Sequence, residues 1–440
     1  MTARWTWALL LVGCIHVLST PGTWQVTDHA ESLYTARRLL DHGTLTLADA
    51  GTQRIEALPW AAGRPGEPIR SRLSPLPAVA LVPFLWADRQ LGWEDPVDYG
   101  RLVHVHGHVF VLAGLALLGS TLLRSGASAG AAAVAVAAVG LSWPVWQVSR
   151  RGGPESLLFV FVSLFVAAEF EAPTRRTRLL QALVCLFVPW AHATGALLSV
   201  ALAAGAFCEP LRGRGLLGAL SQVRLPAAGA LAGGSGLLVW NHLYHGSWWA
   251  GGYAAYAPES YFAAVNPLAG LWVHVFGIAV QAPAPILLAW AGARASGGWR
   301  TAGLALPLAL SAVLVMLFAT FYAPEPARRL AAIWPAWGLV VGGTWDRLRW
   351  RTPAPQIVLA AAGVLGFYWF MAYEGRYYPG PGGLFYPSVR WLKLAIDGEP
   401  VWRTAAPAGL LFGLACLAAA RTWRLLREAH APASAAAVPS

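Results

Sequence analysis

Charge is scarce in this chain. Only 12% of its 440 residues are Asp, Glu, Lys or Arg, while 57% are hydrophobic. That is too little polar surface to cover a water-soluble fold of this size, and repeated apolar windows are long enough to span a bilayer. The balance excludes an ordinary soluble domain and predicts an all-α polytopic membrane protein. Cysteine is scarce too. Cys14, Cys185, Cys208 and Cys416 lie in or beside apolar segments without paired spacing, which argues against a disulfide framework or a zinc site. The first apolar stretch lacks a small-x-small cleavage site, ending instead at Pro21-Gly22-Thr23-Trp24, so residues 5–19 read as an uncleaved first span. There is no nucleic-acid motif and no repeat of fixed period. The net charge of +11 comes from arginines at span ends, where orientation and anionic headgroups account for it.

Beyond apolar runs, the chain contains one polar amphipathic stretch, TDHAESLYTARRLLDHG over residues 27–43. Asp28 and Glu31 stand at capping-box spacing, Leu33, Ala36 and Leu40 form one apolar stripe, and Gly43 is a C-terminal stop. The spacing predicts a helix lying in the membrane interface, with both acids at its positive N-terminal end. Residues 20–72 form the first loop, external by the positive-inside rule because Arg4 precedes the first span. Its second half, LPWAAGRPGEPIRSRLSP, shows no periodicity and reads as an ordered loop on the membrane face.

Further spans are expected at 102–123, 127–148, 157–170, 179–207, 225–240, 268–291, 302–321, 330–344, 357–371 and 406–420, roughly 11–13 membrane helices in all. Placing the arginine clusters at 124, 175–178, 212–214, 294–300, 347–351 and 421–427 on the cytoplasmic side requires two things. Residues 179–207 must be a hairpin that breaks near Pro189-Trp190-Ala191-His192, and the Pro-containing 75–86 must not cross fully. Residues 1–430 then form one integral membrane domain, with the Ala/Ser/Pro segment 431–440 as a disordered tail. The external side collects the first loop, 150–155, 241–267, 322–329 and 373–403.

Taken in order, these pieces resemble the GT-C superfamily of polytopic membrane glycosyltransferases, in particular bacterial members related to protein O-mannosyltransferases and lipopolysaccharide sugar transferases. The residues carrying the resemblance are Asp28, Glu31, Tyr34, Ala36, Leu39, Leu40 and Gly43. GRPGEPIRSRLSPLPAVALVPF follows, then NHLYHGSWWAGGY and PEPARRLAAIWP. The resemblance implies a GT-C-like helical bundle in a bacterial cytoplasmic (inner) membrane. It also implies an inverting hexosyltransferase that moves a sugar from a polyprenyl-phosphate donor to a glycolipid, glycan or protein acceptor of the cell envelope, with membrane lipids around it and no nucleic acid. One departure stands out. His29 occupies the place of the second acid in the family's doublet, which a divalent metal role would need; no metal ligand or other cofactor is assigned.

Glycosyl transfer to a hydroxyl needs a carboxylate to take the acceptor proton and cations to hold the leaving phosphate. Asp28 meets the first demand, with Glu31 as a substitute, although both also suit helix capping. Arg328 and Arg329, then Arg150, Arg151 and Arg376, meet the second, since they fall on a side where orientation does not require positive charge. Arg101 opens the next span and resembles a further family arginine, with Asp95 and Asp98 as local partners. Asn241 and His245 fall where donor-sugar contacts belong. Tyr253 belongs to an aromatic run that serves either as an interfacial belt or for sugar and polyprenyl stacking. His104 and His108 have metal-ligand spacing but no accompanying carboxylate motif. Two alternatives to an enzyme remain: a transporter or flippase of a lipid-linked glycan, and an inactive GT-C-like scaffold. Predicted mid-span segments nearly free of ionisable residues favour the enzyme over the transporter.

Overall fold

A computed structural model describes residues 5–18, 27–52, 54–55, 58–62, 66–93, 102–192, 195–248, 331–347, 410, 413–424 and 426. They are mostly helical, as the apolar periodicity predicts. Among the described residues the helices include, in chain order, α1 (Thr6–Leu18), α2 (Thr27–His42), α3 (Leu76–Gln90), α4 (His106–Arg124), α5 (Ala129–Gly140), α6 (Trp143–Arg151), α7 (Pro154–Glu169), α8 (Arg175–Ala191), α9 (Gly195–His245) and α10 (Trp334–Arg347). Short 3-10 turns at Leu102–Val105 and Ala331–Ile333 lead into α4 and α10. Among the described residues one helix, Leu102–Arg124, is long and apolar enough to cross a membrane. The expected spans at 268–291, 302–321 and 357–371 lie outside the described residues.

α4 is the centre of the bundle. Val111, Leu115, Leu118 and Leu122 recur three and four residues apart and are all buried, the spacing of one helical face. Against them pack Val12 of α1, Val136 and Val139 of α5, Phe159, Val162 and Phe165 of α7, and Leu339 of α10. Glycine lets several of these helices come close. A Cβ at Gly114 would lie 2.6 Å from the Phe159 ring, and one at Gly338 2.5 Å from a Leu118 methyl. Small residues at such crossings replace side-chain bulk with backbone proximity.

Several expectations need correction. The stretch 127–148 is not one span: α5 ends at Gly140, and Pro144 stands in the first turn of a separate α6. Proline is suited to a first helical turn and unsuited to a helix interior, so the chain stops and restarts. The 225–240 span is the middle of a longer arm, because α9 runs from Gly195 to His245 with its break at Gly215 (φ 69°, ψ −176°). The second half of the first loop, expected as an ordered loop without periodicity, contains short strands. β1 (Thr46–Ala48) pairs antiparallel with β4 (Ile69–Arg70), and β2 (Arg54–Ile55) pairs with β3 (Leu58–Ala62). The required hairpin is present: α8 ends at Ala191 and His192 is extended.

Contacts along the helices define two ends. At one, Arg124 pairs with Glu171, Asp346 accepts from Ser128 N–H at 2.7 Å, and Arg178 bridges Glu169 and Gln222. At the other, the start of α4 meets the α6–α7 junction, where a Cβ at Gly107 would lie 2.6 Å from Ser149 O and 2.7 Å from Gly152 Cα. α8 and the second arm of α9 rise together to this end, with Gly229 against Ala182, Gly233 against Leu186 and Gly236 against Trp190. α3 starts and finishes there. Ser74, just before it, donates to Trp190 O at 2.6 Å, and Asp88 near its end accepts the Leu102 and Val103 N–H groups at 2.8 and 2.9 Å. A helix of 15 residues is about 22 Å long, so α3 lies across the end of the bundle rather than along it.

Candidate functional site

The first loop is built onto this second end by its own helix. Leu33 and Ala36 of α2 are buried against Ala78, Leu81 and Leu85 of α3, which uses the stripe read from the sequence. Gly43 (φ 66°) closes α2 through its N–H to Leu39 O at 3.0 Å, a left-handed C-terminal stop that glycine adopts without strain. At the other end of α2, Asp28 occupies the first turn.

Beside it, the His29 ring stacks on His106, the first residue of α4, with centroids 4.9 Å apart and planes 13° from parallel. His106 is in turn fixed at both nitrogens. Gly153 N–H donates to Nε2 at 3.3 Å, so the proton is on Nδ1, which donates to Val103 O at 2.5 Å. Gly152 makes this approach possible: it has φ 65°, and a Cβ there would collide with the His106 ring. The sequence Arg150-Arg151-Gly152-Gly153 is thereby brought to the first turn of α2. Arg150 and Arg151 occupy the last turn of α6. His29 is held well below the usual histidine range, first by burial and then by its neighbours His106 and His104.

Glu31 is completely buried. Its carboxylate accepts from Ser71 Oγ at 2.8 Å, from the Arg72 backbone N–H, and from Arg72 Nε at 3.0 Å. Rather than standing exposed as a second base, it fixes Arg72 and the segment entering α3. A buried carboxylate is tolerated where it is both ion-paired and hydrogen-bonded, as here.

The rest of the loop is clamped to the end of α9. Arg70 donates to Tyr244 O and lies over the Tyr244 ring, 5.3 Å from its centroid. Tyr244 Oη donates to Leu45 O at 2.5 Å and its ring stacks on Trp240 at 4.4 Å. Asn241 lies one turn earlier, partly buried. His245 is pushed down to about 4 by burial and by the Arg70 charge, so it stands there as a neutral imidazole.

Of the sequence-predicted residues, then, Asp28, Glu31, Arg150, Arg151, Asn241 and His245 belong to elements that meet at one end of the bundle. Arg101, Arg328, Arg329, Tyr253 and Arg376 lie outside the described residues. The turn Ala331–Ile333, which begins two residues after Arg329, packs against α7 and α6. The H-x-H-x-H run does not act as a unit. His104 is in the 3-10 turn, His106 is bonded as above, and His108 Nδ1 meets Ser149 Oγ at 2.7 Å. Among the described residues no group of three His, Cys, Asp or Glu side chains could hold a metal ion.

Sequence reasoning missed Arg72, whose partner is 41 positions away. It also passed over Glu155, buried in the first turn of α7. The signal for Glu155 was available: an acid directly after Gly-Gly-Pro, at a helix start where no solvent-facing role requires it. No protein-family model matches this chain, and no curated protein matches it.

Proposed function

We propose that the protein is a polytopic, GT-C-like membrane glycosyltransferase, and that the end of the bundle carrying α2 is its active face. The observation that carries this reading is the convergence of an acidic helix start, the Arg150-Arg151-Gly152-Gly153 junction and the end of α9 on one end of the bundle. Support for a membrane setting comes from the outer faces of α8 and α9. Leu179, Leu183 and Phe187 recur every four residues and all point outward, and Leu217 and Leu231 are 82% and 72% exposed. An apolar surface so extensive belongs against an apolar surround.

In this reading the donor is a polyprenyl-phosphate sugar. Asp28 takes the proton of the acceptor hydroxyl, the hydroxyl oxygen bonds to the anomeric carbon from the opposite face, and the bond from that carbon to the phosphate oxygen breaks. Arginines hold the charge left on the polyprenyl phosphate. Arg72, preorganised by Glu31, joins Arg150, Arg151, Arg328 and Arg329 in that role. The acceptor belongs to the cell envelope, on the external side of the inner membrane.

The test is direct transfer. Membranes containing the protein, given a radiolabelled polyprenyl-phosphate hexose, should label an envelope glycolipid, glycan or protein, and a deletion strain should lack that sugar in mass spectra of its envelope. Replacing Arg328 and Arg329 together with Gln should raise the donor Kd by more than about tenfold, a loss expected when charged phosphate contacts are removed. Unchanged envelope composition and no transfer by the wild type would remove the transferase reading.

A further inference from the structure

Two buried side chains near the same end of the bundle have hydrogen-bonding groups with no partner. Gln147 of α6 is 1% exposed, and neither its amide oxygen nor its amide nitrogen is bonded; Trp334, at the start of α10, is 1% exposed with an unbonded indole N–H. Buried polar side chains are bonded in the large majority of cases, and Gln147 is set apart among the described residues by having both ends of its amide unbonded. Gln181 at the far end is equally buried, yet it donates to Glu169 at 2.5 Å and accepts from Arg178 at 2.8 Å. Ser149, two residues from Gln147, meets His108. The two orphaned groups sit on elements in contact, because α6 packs against the turn that leads into Trp334.

We infer that Gln147 and Trp334 recognise the hydroxyl groups of the sugar being transferred, an inference that rests on the transferase reading above. Both side chains are uncharged, which suits a neutral polar ligand and not a phosphate. A primary amide offers two donors and an acceptor, and the indole offers one more donor. Together they match adjacent hydroxyls, each of which both gives and takes a hydrogen bond. Their neighbours in the sequence fit a phosphate-linked sugar. Arg150 and Arg151 follow Gln147 by three and four residues on α6, and Arg328 and Arg329 precede Trp334 by six and five in sequence. In sequence, each neutral hydrogen-bonding residue thus neighbours a cation pair, which suits a ligand whose phosphate and sugar are adjacent. Trp337, edge-on to Trp334 at 5.2 Å, adds an apolar surface for a sugar C–H face.

The experiment uses the full chain in lipid nanodiscs and two probes, a polyprenyl-phosphate hexose and the same polyprenyl phosphate without sugar. The wild type should prefer the sugar-bearing lipid. Gln147→Met and Trp334→Phe keep volume and remove the hydrogen-bonding groups. Each should weaken binding of the sugar-bearing lipid about tenfold while leaving the bare lipid within about twofold. Because the groups have no partner in the fold, neither variant should melt at a lower temperature. A lower melting temperature with an unchanged preference for the sugar would show that the amide and indole serve the fold or an internal water, and would overturn the inference. So would a wild type that binds both lipids equally, which leaves the transferase reading standing. A wild type that binds neither lipid would overturn the transferase reading itself and this inference with it.

Discussion

Glu31 and Arg72 form an ion pair between the amphipathic helix and the segment entering α3, with Nε and Oε2 3.0 Å apart, the carboxylate fully buried and the guanidinium side chain 9% exposed. Removing one member leaves the other charged and desolvated, which typically costs about 3–5 kcal/mol. Glu31→Ala should therefore cost several kcal/mol in thermal or chemical unfolding, and Arg72→Met nearly as much. The double variant should cost less than the sum, since it leaves no lone charge. Additive losses would mean that the pair is not the link holding the loop to α3.

The two ends of the bundle differ in a way that labelling can read. Ala50, beside β1, and Arg176, in the first turn of α8, are both exposed and belong to opposite ends. In a variant without native cysteines, Ala50→Cys should react with an impermeant thiol reagent in intact cells, whereas Arg176→Cys should react only after lysis. The reverse pattern would put the acidic helix in the cytoplasm and remove a periplasmic acceptor. Labelling of both from outside would show that no membrane separates the two ends.

Acid should weaken the loop through His29. Burial and the neighbouring His106 and His104 depress its folded-state titration, whereas in the unfolded chain it titrates near 6.5. Below that pH the unfolded state binds a proton that the folded state refuses. Stability is thus complete above about pH 6.5 and falls as the pH drops from there toward the folded-state value, with a slope of at most about 1.4 kcal/mol per pH unit for one group. His29→Phe keeps an aromatic ring on His106 and cannot take the proton. Its melting temperature should depend less steeply on pH between 6.5 and 5 than that of the wild type. Identical slopes would assign the acid sensitivity to other groups.

What was legible in the sequence was local. The stripe Leu33, Ala36, Leu40 gave α2 because helix period is written in neighbouring residues, and Pro189 marked the α8–α9 turn because α8 ends two residues beyond it, although α3 and α9 continue through Pro83, Pro210 and Pro226. The α5–α6 break was hidden by the same logic: residues 127–148 carry no charge, and hydropathy does not distinguish Pro144 inside a span from Pro144 opening a new helix. The pairing of Thr46–Ala48 with Ile69–Arg70 was hidden too, since strands of three and two residues are too short to show alternation. Convergence of Arg72 on Glu31, or of Gly153 on His106, is set by tertiary packing of distant segments, which spacing cannot reveal. Asp28, by contrast, is a candidate read from its position at a helix start, and the fold places that turn beside the His29–His106 stack.

The enzyme reading depends most on Asp28. Asp28→Asn preserves an oxygen able to accept a backbone N–H and nearly the same volume, so stability should change by less than about 1 kcal/mol. Turnover should nonetheless fall roughly 100-fold or more, the usual contribution of a positioned general base. The buried pairing of Glu31 makes Glu31→Gln a sharp control. That variant should lose stability together with activity, because it weakens the hold on Arg72, whereas Asp28→Asn should lose activity alone. A donor-binding assay separates them further: Asp28→Asn should leave the donor Kd unchanged, since the proton it takes belongs to the acceptor, while Glu31→Gln should raise it through Arg72. If both amide variants turn over at the wild-type rate and remain folded, neither Asp28 nor Glu31 is the base, and the transporter and scaffold readings regain the ground.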